Sequence, residues 1–193
     1  MGFVNNKDKM IKEAAMLMAE MGYSVFTMDL LIEKTSIAKS NAYYHFATKE
    51  LLGLAVLDYW CNTLETLHQN TITNTNIPIN QRLNEYFSKL IHFQEVTNYC
   101  GDPITNIASE IRTSKANAFY KDRLNNFHQS CVSYLSAGVN QKCFVSNLNI
   151  NSVAWLCVSL ITAATQEARI QKDTQPMFRA RDQICSLLKT LNV

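Results

Sequence analysis

The stretch Thr27 to Glu50, TMDLLIEKTSIAKSNAYYHFATKE, holds two short helical patterns separated by three residues. Thr27 is a suitable N-cap and Asp29 is favourable in the first turn that follows. Leu30, Leu31 and Lys34 continue a short helix, and Thr35-Ser36-Ile37 breaks it. Ala38 to Tyr44 forms the second, and Thr48 caps a third that opens at Lys49-Glu50. Isolated helices shorter than ~12–15 residues are marginal in water, so the two short ones require neighbours to pack on. Two such helices across a tight connection have the spacing of a helix-turn-helix.

The flanking sequence supplies those neighbours. Met10, Ile11, Ala14, Leu17, Met18 and Met21 recur at helical spacing, so Lys7 to Met21 reads as an amphipathic helix stopped by Gly22. Tyr23, Val25 and Phe26 are apolar residues in a short connection, placed to close a small core. After Thr48 the third helix carries Leu51, Leu54, Leu57, Cys61, Leu64 and His68 along one side. The economical arrangement is a three-helix head feeding a long connecting helix.

The rest of the chain extends the helical pattern. With only 5 Gly and 3 Pro it lacks the turns a sandwich or barrel needs, and 47% hydrophobic residues can bury a sizeable core. Gln69 to Asn80 is a polar Thr/Asn-rich loop. Leu83, Phe87, Leu90 and Ile91 mark the next helix, and Cys100-Gly101-Asp102-Pro103 a turn with Pro103 opening another through Ile104, Ile107, Ala108 and Ile111. Tyr120, Leu124, Phe127, Cys131, Leu135 and Gly138 lie along a long amphipathic helix, and Cys143 to Asn149 is loop. Asn151 to Lys172 is apolar on all sides, which predicts a helix buried on all sides. One face would pack on its own core and the other on a second subunit. Met177, Ile184, Leu187, Leu188 and Leu191 form a last helix after Pro176. The reading is all-α, about nine helices, with a helix-turn-helix head at residues 1–53 and a helical domain at 54–193.

Charge and composition exclude several classes. Net charge is +2, and residues 1–53 contain six Lys against six acids, so any nucleic-acid contact rests on the placement of lysines rather than on bulk charge. The 6 Cys form no CxxC pair and no signal peptide precedes the first helix, which predicts reduced thiols and a cytoplasmic location. The run Val153 to Ala164 is too short for a bilayer, which needs ~20 residues. The chain holds no Gly-rich phosphate loop, no HExxH and no GxSxG, so no enzyme, cofactor or membrane partner is expected. His128 and Cys131 are spaced for two metal ligands but lack a third nearby, so no metal site is expected either. Cys100, beside a turn, would sense oxidants only if its thiol were acidified.

The head resembles the TetR family of transcriptional regulators. The resemblance is carried by Gly22-Tyr23, Thr27, Leu31-Ile32, Ile37, Lys39, the cluster Tyr43-Tyr44-His45-Phe46, and Lys49-Glu50 before Leu51-Leu52. Beyond Val56 it rests on length and helical layout. Many members have Gly where Ser36 and Ser40 stand, and Ser at the cap held here by Ala38. Ala38 offers no side-chain acceptor, which predicts a second helix less firmly capped by ~1 kcal/mol.

A recognition helix enters the major groove with its first residues toward base edges, which points to Lys39, Ser40 and Asn41. The resemblance implies phosphate contacts from Tyr43, His45 and Lys49, with Thr27 acting likewise at the preceding helix. Tyr44 and Phe46 are read as core. The resemblance further implies a homodimer on palindromic double-stranded DNA, released by a small-molecule effector. The seam would be formed by Val153, Leu156, Leu160, Ile161, Ile184 and Leu188. Pocket candidates are Phe87, Phe93, Ile107, Phe127, Cys131 and Trp155, which would suit an apolar or aromatic ligand. The alternatives are a dimeric helical interaction protein, or an activator without small-molecule induction.

Overall fold

The computed structural model describes residues 6–144 and 147–190, with the side chains of 189 and 190 left out of account. Leu191 of the expected last helix lies outside the described residues. Nine α-helices and no strand occur among them: α1 (Asn6–Met21), α2 (Met28–Thr35), α3 (Lys39–His45), α4 (Lys49–Gln69), α5 (Ile79–Val96), α6 (Pro103–Ile111), α7 (Ser114–Asn140), α8 (Ile150–Gln171) and α9 (Gln175–Thr190). No helix among the described residues is long and apolar enough to cross a membrane.

The chain divides into two compact units. The first joins the described residues through Thr63 with Pro103–Lys121, and the second joins Leu64–Asp102 with the residues from Asp122 onward. In the first unit, α1 packs on α2, α3 and α6, and α2 on α3. Met10, Ala14, Leu17 and Met18 recur at helical spacing on α1 and are all buried, as are Phe26, Leu31, Ile37, Ala42 and Phe46 from the next segments. Gly22 ends α1 at φ +86, a left-handed value that costs glycine nothing. On α4 the buried side is Leu52, Val56, Leu57, Trp60 and Leu64. Leu51, expected on that side, is half exposed, because the inward line starts one residue later at Leu52.

The second unit has its core in one cluster drawn from Ile72 and from α5, α7, α8 and α9, with Phe87, Phe127, Tyr134, Ile161 and Ile184 among its members. Helix α9 packs on α8 and on α5. The Gln69–Asn80 connection is not wholly solvated: Thr71 and Ile72 are buried, and Arg82 Nε donates to Ile77 O at 2.8 Å, tying the loop to the start of α5. Gln94 closes the turn after α5 in both senses, donating to Gly101 O at 2.8 Å and accepting from Gly101 N at 2.9 Å.

Helix α8 differs from its expected all-round burial. Ala154, Cys157, Val158, Ile161, Ala164 and Ala168 face the core, while Leu156 is 51% and Ile170 83% exposed. Its outer line holds Ser152, Leu156, Ser159, Ala163, Glu167 and Ile170. Of the residues expected at a dimer seam, Leu156 is exposed, and Val153 and Leu160 are partly buried. Ile161, Ile184 and Leu188 are buried in their own chain's core where α8 meets α9, so their apolar surface is already used.

Candidate nucleic-acid interface

Helix α2 begins with the cap the sequence promised. Thr27 has extended backbone, φ −129 and ψ 152, and its Oγ1 accepts the Leu30 N–H at 3.2 Å. The helix ends on Ser36 in the left-handed region, φ 55 and ψ 28. A Cβ there costs roughly 1–2 kcal/mol relative to glycine. Helix α3 follows with Ala38 at its N-cap, φ −55 and ψ 137, without a side-chain cap bond. The first ladder bond of α3 runs from Ala42 N–H to Ala38 O at 3.0 Å. The amides of Lys39, Ser40 and Asn41 have no acceptor within the helix, as for any helix start.

Burial sorts the residues of α3 into an inner and an outer face. Ala42 and Phe46 are inward at helical spacing, and Ile37 closes the turn beneath them. Lys39 and Ser40 are exposed, Asn41 and His45 half-buried, Tyr43 40% exposed and Tyr44 84% exposed. Tyr44 therefore corrects the core reading: it lies off the line through Ala42 and Phe46, and its ring meets the His45 ring edge-on, centroids 5.4 Å apart. That spacing was the available signal, since residue 44 falls between two inward positions four apart.

The two lysines with motif support are already engaged. Lys39 Nζ donates to Asp29 Oδ1 at 2.9 Å and stands 6.0 Å from the Tyr43 ring centroid. The bond to Asp29, and then its charge, raise the Lys39 pKa above the ordinary lysine value. The pair is fully solvated, so its worth to stability is small. Lys49 Nζ donates to Ser24 O at 3.2 Å and lies 4.5 Å from the Tyr23 ring centroid. Burial lowers the Lys49 pKa, opposed by the charge of Glu110. Each ammonium has three donors, so both retain N–H groups for a phosphate oxygen. Thr48 caps α4 by accepting Leu51 N–H at 3.2 Å.

The arrangement presents a short helix with small polar groups at its start, tyrosines along its outer face and lysines at its edges. That is a surface suited to base edges and phosphates rather than to covalent chemistry. Residues 10–56, which contain α2, α3 and the start of α4, match the family model of bacterial regulatory proteins, tetR family. Over those 47 residues the chain is similar to the TetR family. A curated relative, the HTH-type transcriptional repressor DhaR of Mycobacterium sp. (strain GP1), is 25% identical over 85 residues, which is 44% of this chain and 43% of that protein's length. A TetR transcriptional regulator from Legionella pneumophila superposes with TM-score 0.83 at 18% identity, covering 97% of this chain and 100% of that one. The regulatory protein TetR from Rhodobacter sphaeroides does so at 0.83 and 14% identity, covering 91% and 95%. At such identities these structures show the shared TetR-family fold.

Of the six expected pocket residues, one falls in the first unit and five in the second. Phe87, Phe127 and Cys131 belong to the second unit's core, and Ile107 is buried on α6 in the first unit. Trp155 is 45% exposed and stacks on the His128 ring at 4.3 Å. Phe93 alone of the six lines a cavity of about 20 Å³ within the second unit, with His68, Tyr86, Gln94, Asp102, Arg123, Thr162 and Thr165 among its other walls. That volume holds about one water. Arg123 Nη2 pairs with Asp102 Oδ2 at 2.9 Å, while Arg123 Nε and Nη1 and Thr162 Oγ1 are buried without a protein partner. His68 stacks on Phe127 at 4.7 Å, and burial, reinforced by the Arg123 charge, pushes its pKa down to about 3. A more open groove of about 330 Å³ lies between α5 and α9, walled by Ile91, His92, Glu95, Phe178 and Arg181. Cys100 is buried and its thiol is pushed up to about 11, chiefly by desolvation, rather than acidified.

Proposed function

We propose that this protein is a homodimeric TetR-type repressor, located in the cytoplasm, which reads a palindromic duplex operator and is released by a small-molecule effector. The observation that carries the reading is the outer face of α3. Lys39, Ser40 and Tyr43 are exposed there within the family-matched stretch, beside the capped start of α2. Residues 1–53 act as the DNA-binding head and residues 54–193 as the effector-binding and dimerisation part. Ser40 and Asn41 address base edges, with Asn41 able to pair bidentately with adenine, and Lys39 at the helix start reaches both a base edge and the adjacent phosphate. Thr27, Tyr43, His45 and Lys49 address phosphates, and Tyr44 joins them by its exposure.

Two heads must lie ~34–36 Å apart to engage successive major grooves on one side of a duplex. The exposed line Leu156–Ile170 on α8, with small Ser159 and Ala163 and the Arg179-paired Glu167 between, is the surface offered to a second copy. Effector pockets of ~300–1,000 Å³ are typical, so an effector entering the water-sized cavity of the second unit must part its helices. An effector that binds the parted form better shifts the population away from the DNA-competent one. The name of the mycobacterial relative, a transcriptional repressor, supports repression as the direction of control.

The test is duplex binding by fluorescence anisotropy across fragments of the DNA upstream of its own gene. Specific binding that weakens steeply with salt is the expected result. Absence of any specific complex at low salt would sink the proposal.

A further inference from the structure

A carboxylate outside the family-matched stretch grips the DNA-binding head. Glu110, on α6, belongs to the same compact unit as α1–α3. Its Oε2 accepts the backbone N–H of Ser24 at 2.5 Å. The Ser24 carbonyl accepts from Lys49 Nζ at 3.2 Å, so one residue of the α1–α2 connection is held at both backbone groups by long side chains. The connection is packed for this grip. Gly22 has φ +86, where a side chain is strained, and a Cβ there would stand 3.0 Å from Glu110 Oε1 and press the carboxylate back by a few tenths of an ångström. On the far side, a Cβ at Gly53 of α4 would stand 2.8 Å from the Tyr23 ring and 2.9 Å from Ile111 Cδ1 of α6. The turn is thus clasped between α4 and α6.

We propose that Glu110 is a positioning residue for DNA binding: by fixing the Gly22–Ser24 turn it sets where Lys49 and the start of α2 stand toward phosphate. This rests on the DNA-binding reading above. A charge-assisted bond to a backbone amide is stronger than a neutral one, and Lys49 uses one of its three donors on the same residue. Glu110 touches no DNA in this account. A second effect opposes the first, since its negative charge near the head repels a duplex. The two are separable because Gln keeps the acceptor and removes the charge.

Two variants, Glu110→Ala and Glu110→Gln, are compared with the wild-type chain in two assays. Amide hydrogen exchange at Ser24 in the DNA-free protein reads the grip. Protection is expected in the wild type and in Glu110→Gln, and fast exchange in Glu110→Ala. Anisotropy on an operator duplex reads the consequence. Glu110→Ala is expected to bind roughly fivefold more weakly, the size of one ordinary hydrogen bond, since the bond is solvent-exposed. Glu110→Gln is expected to bind at least as tightly as wild type. In Lys49→Ala, which has already lost the ammonium that the turn positions, adding Glu110→Ala should cost less than it does alone. The proposal is overturned if both Glu110 variants bind more tightly to the same degree, because the residue then acts by charge alone. It is overturned equally if neither variant changes affinity, or if Ser24 exchanges fast in the wild type. A wild-type chain that binds no duplex overturns the proposed function instead, and Ser24 exchange still decides the grip.

Discussion

Replacing Ala38 by Ser should stabilise the recognition helix without moving its backbone. Ala38 already has the N-cap conformation, φ −55 and ψ 137, and lacks only an acceptor. Helix α3 is seven residues long, and its first ladder bond starts at Ala42 N–H, so the three preceding amides depend on solvent or a cap. A serine Oγ at residue 38 would accept from Ser40 or Asn41 N–H, as Thr27 Oγ1 does from Leu30 N–H and Thr48 Oγ1 from Leu51 N–H. The gain is ~1 kcal/mol, about a fivefold shift in the local opening equilibrium. Amides of the last turn of α3, including Phe46 N–H bonded to Ala42 O at 3.0 Å, should exchange about fivefold more slowly. If the head unfolds with the rest, Tm should rise by ~2–4 °C. If ordering α3 is part of binding, duplex affinity should rise by up to about fivefold. Thr27→Ala and Thr48→Ala are the converse controls, each expected to lose ~1 kcal/mol. Unchanged exchange and unchanged Tm in Ala38→Ser, beside clear losses in the two controls, would refute the claim that α3 lacks a cap.

Further outcomes follow from other contacts. Lys49→Ala should weaken binding to all duplexes alike and lower the salt slope by about 1 per head, read by anisotropy at several ionic strengths. Changing Asn41 to Ala should instead alter base preference, read by competition among operator variants. Asp102→Ala leaves the Arg123 guanidinium buried without its carboxylate and should cost ~3–5 kcal/mol in urea unfolding. His68 has a folded pKa of about 3 against 6.5 ordinarily, so between those values the unfolded chain binds the extra proton. Stability is therefore full above pH 6.5 and falls as pH drops toward 3, by up to about 1.4 kcal/mol per unit. His68→Phe should flatten that fall in urea titrations.

What was legible in the sequence was local. Thr27 and Thr48 cap because a hydroxyl stands one residue before a helical pattern, and Ala38 fails to cap for the same local reason. Ser36 marks the turn because the chain must pass through a left-handed conformation there, whatever residue supplies it. What escaped was directional or long-range. Tyr44, read as core with Phe46, lies outside because Ala42 and Phe46 fix the inner line. Helix α8 read as apolar on all sides, and composition alone could not say which side its own core would claim. Phe87 and Phe127 lie in the second unit's core, since large aromatic side chains fill a core as readily as they line a cavity. Glu110 reaches Ser24 across 86 positions, and no local pattern announces such a bond.

The central claim is that Lys39 and Lys49, placed at helix ends in a head of zero net charge, carry DNA binding. Salt dependence of operator affinity tests it most directly. Two lysines on each of two heads give a slope of log K against log salt of about −3.6, so affinity should fall roughly a hundredfold between about 50 and 200 mM salt. In the double variant Lys39→Ala/Lys49→Ala that slope should collapse toward zero. Tight, specific binding that is indifferent to salt in the wild type, or an undiminished slope in the double variant, would contradict the account.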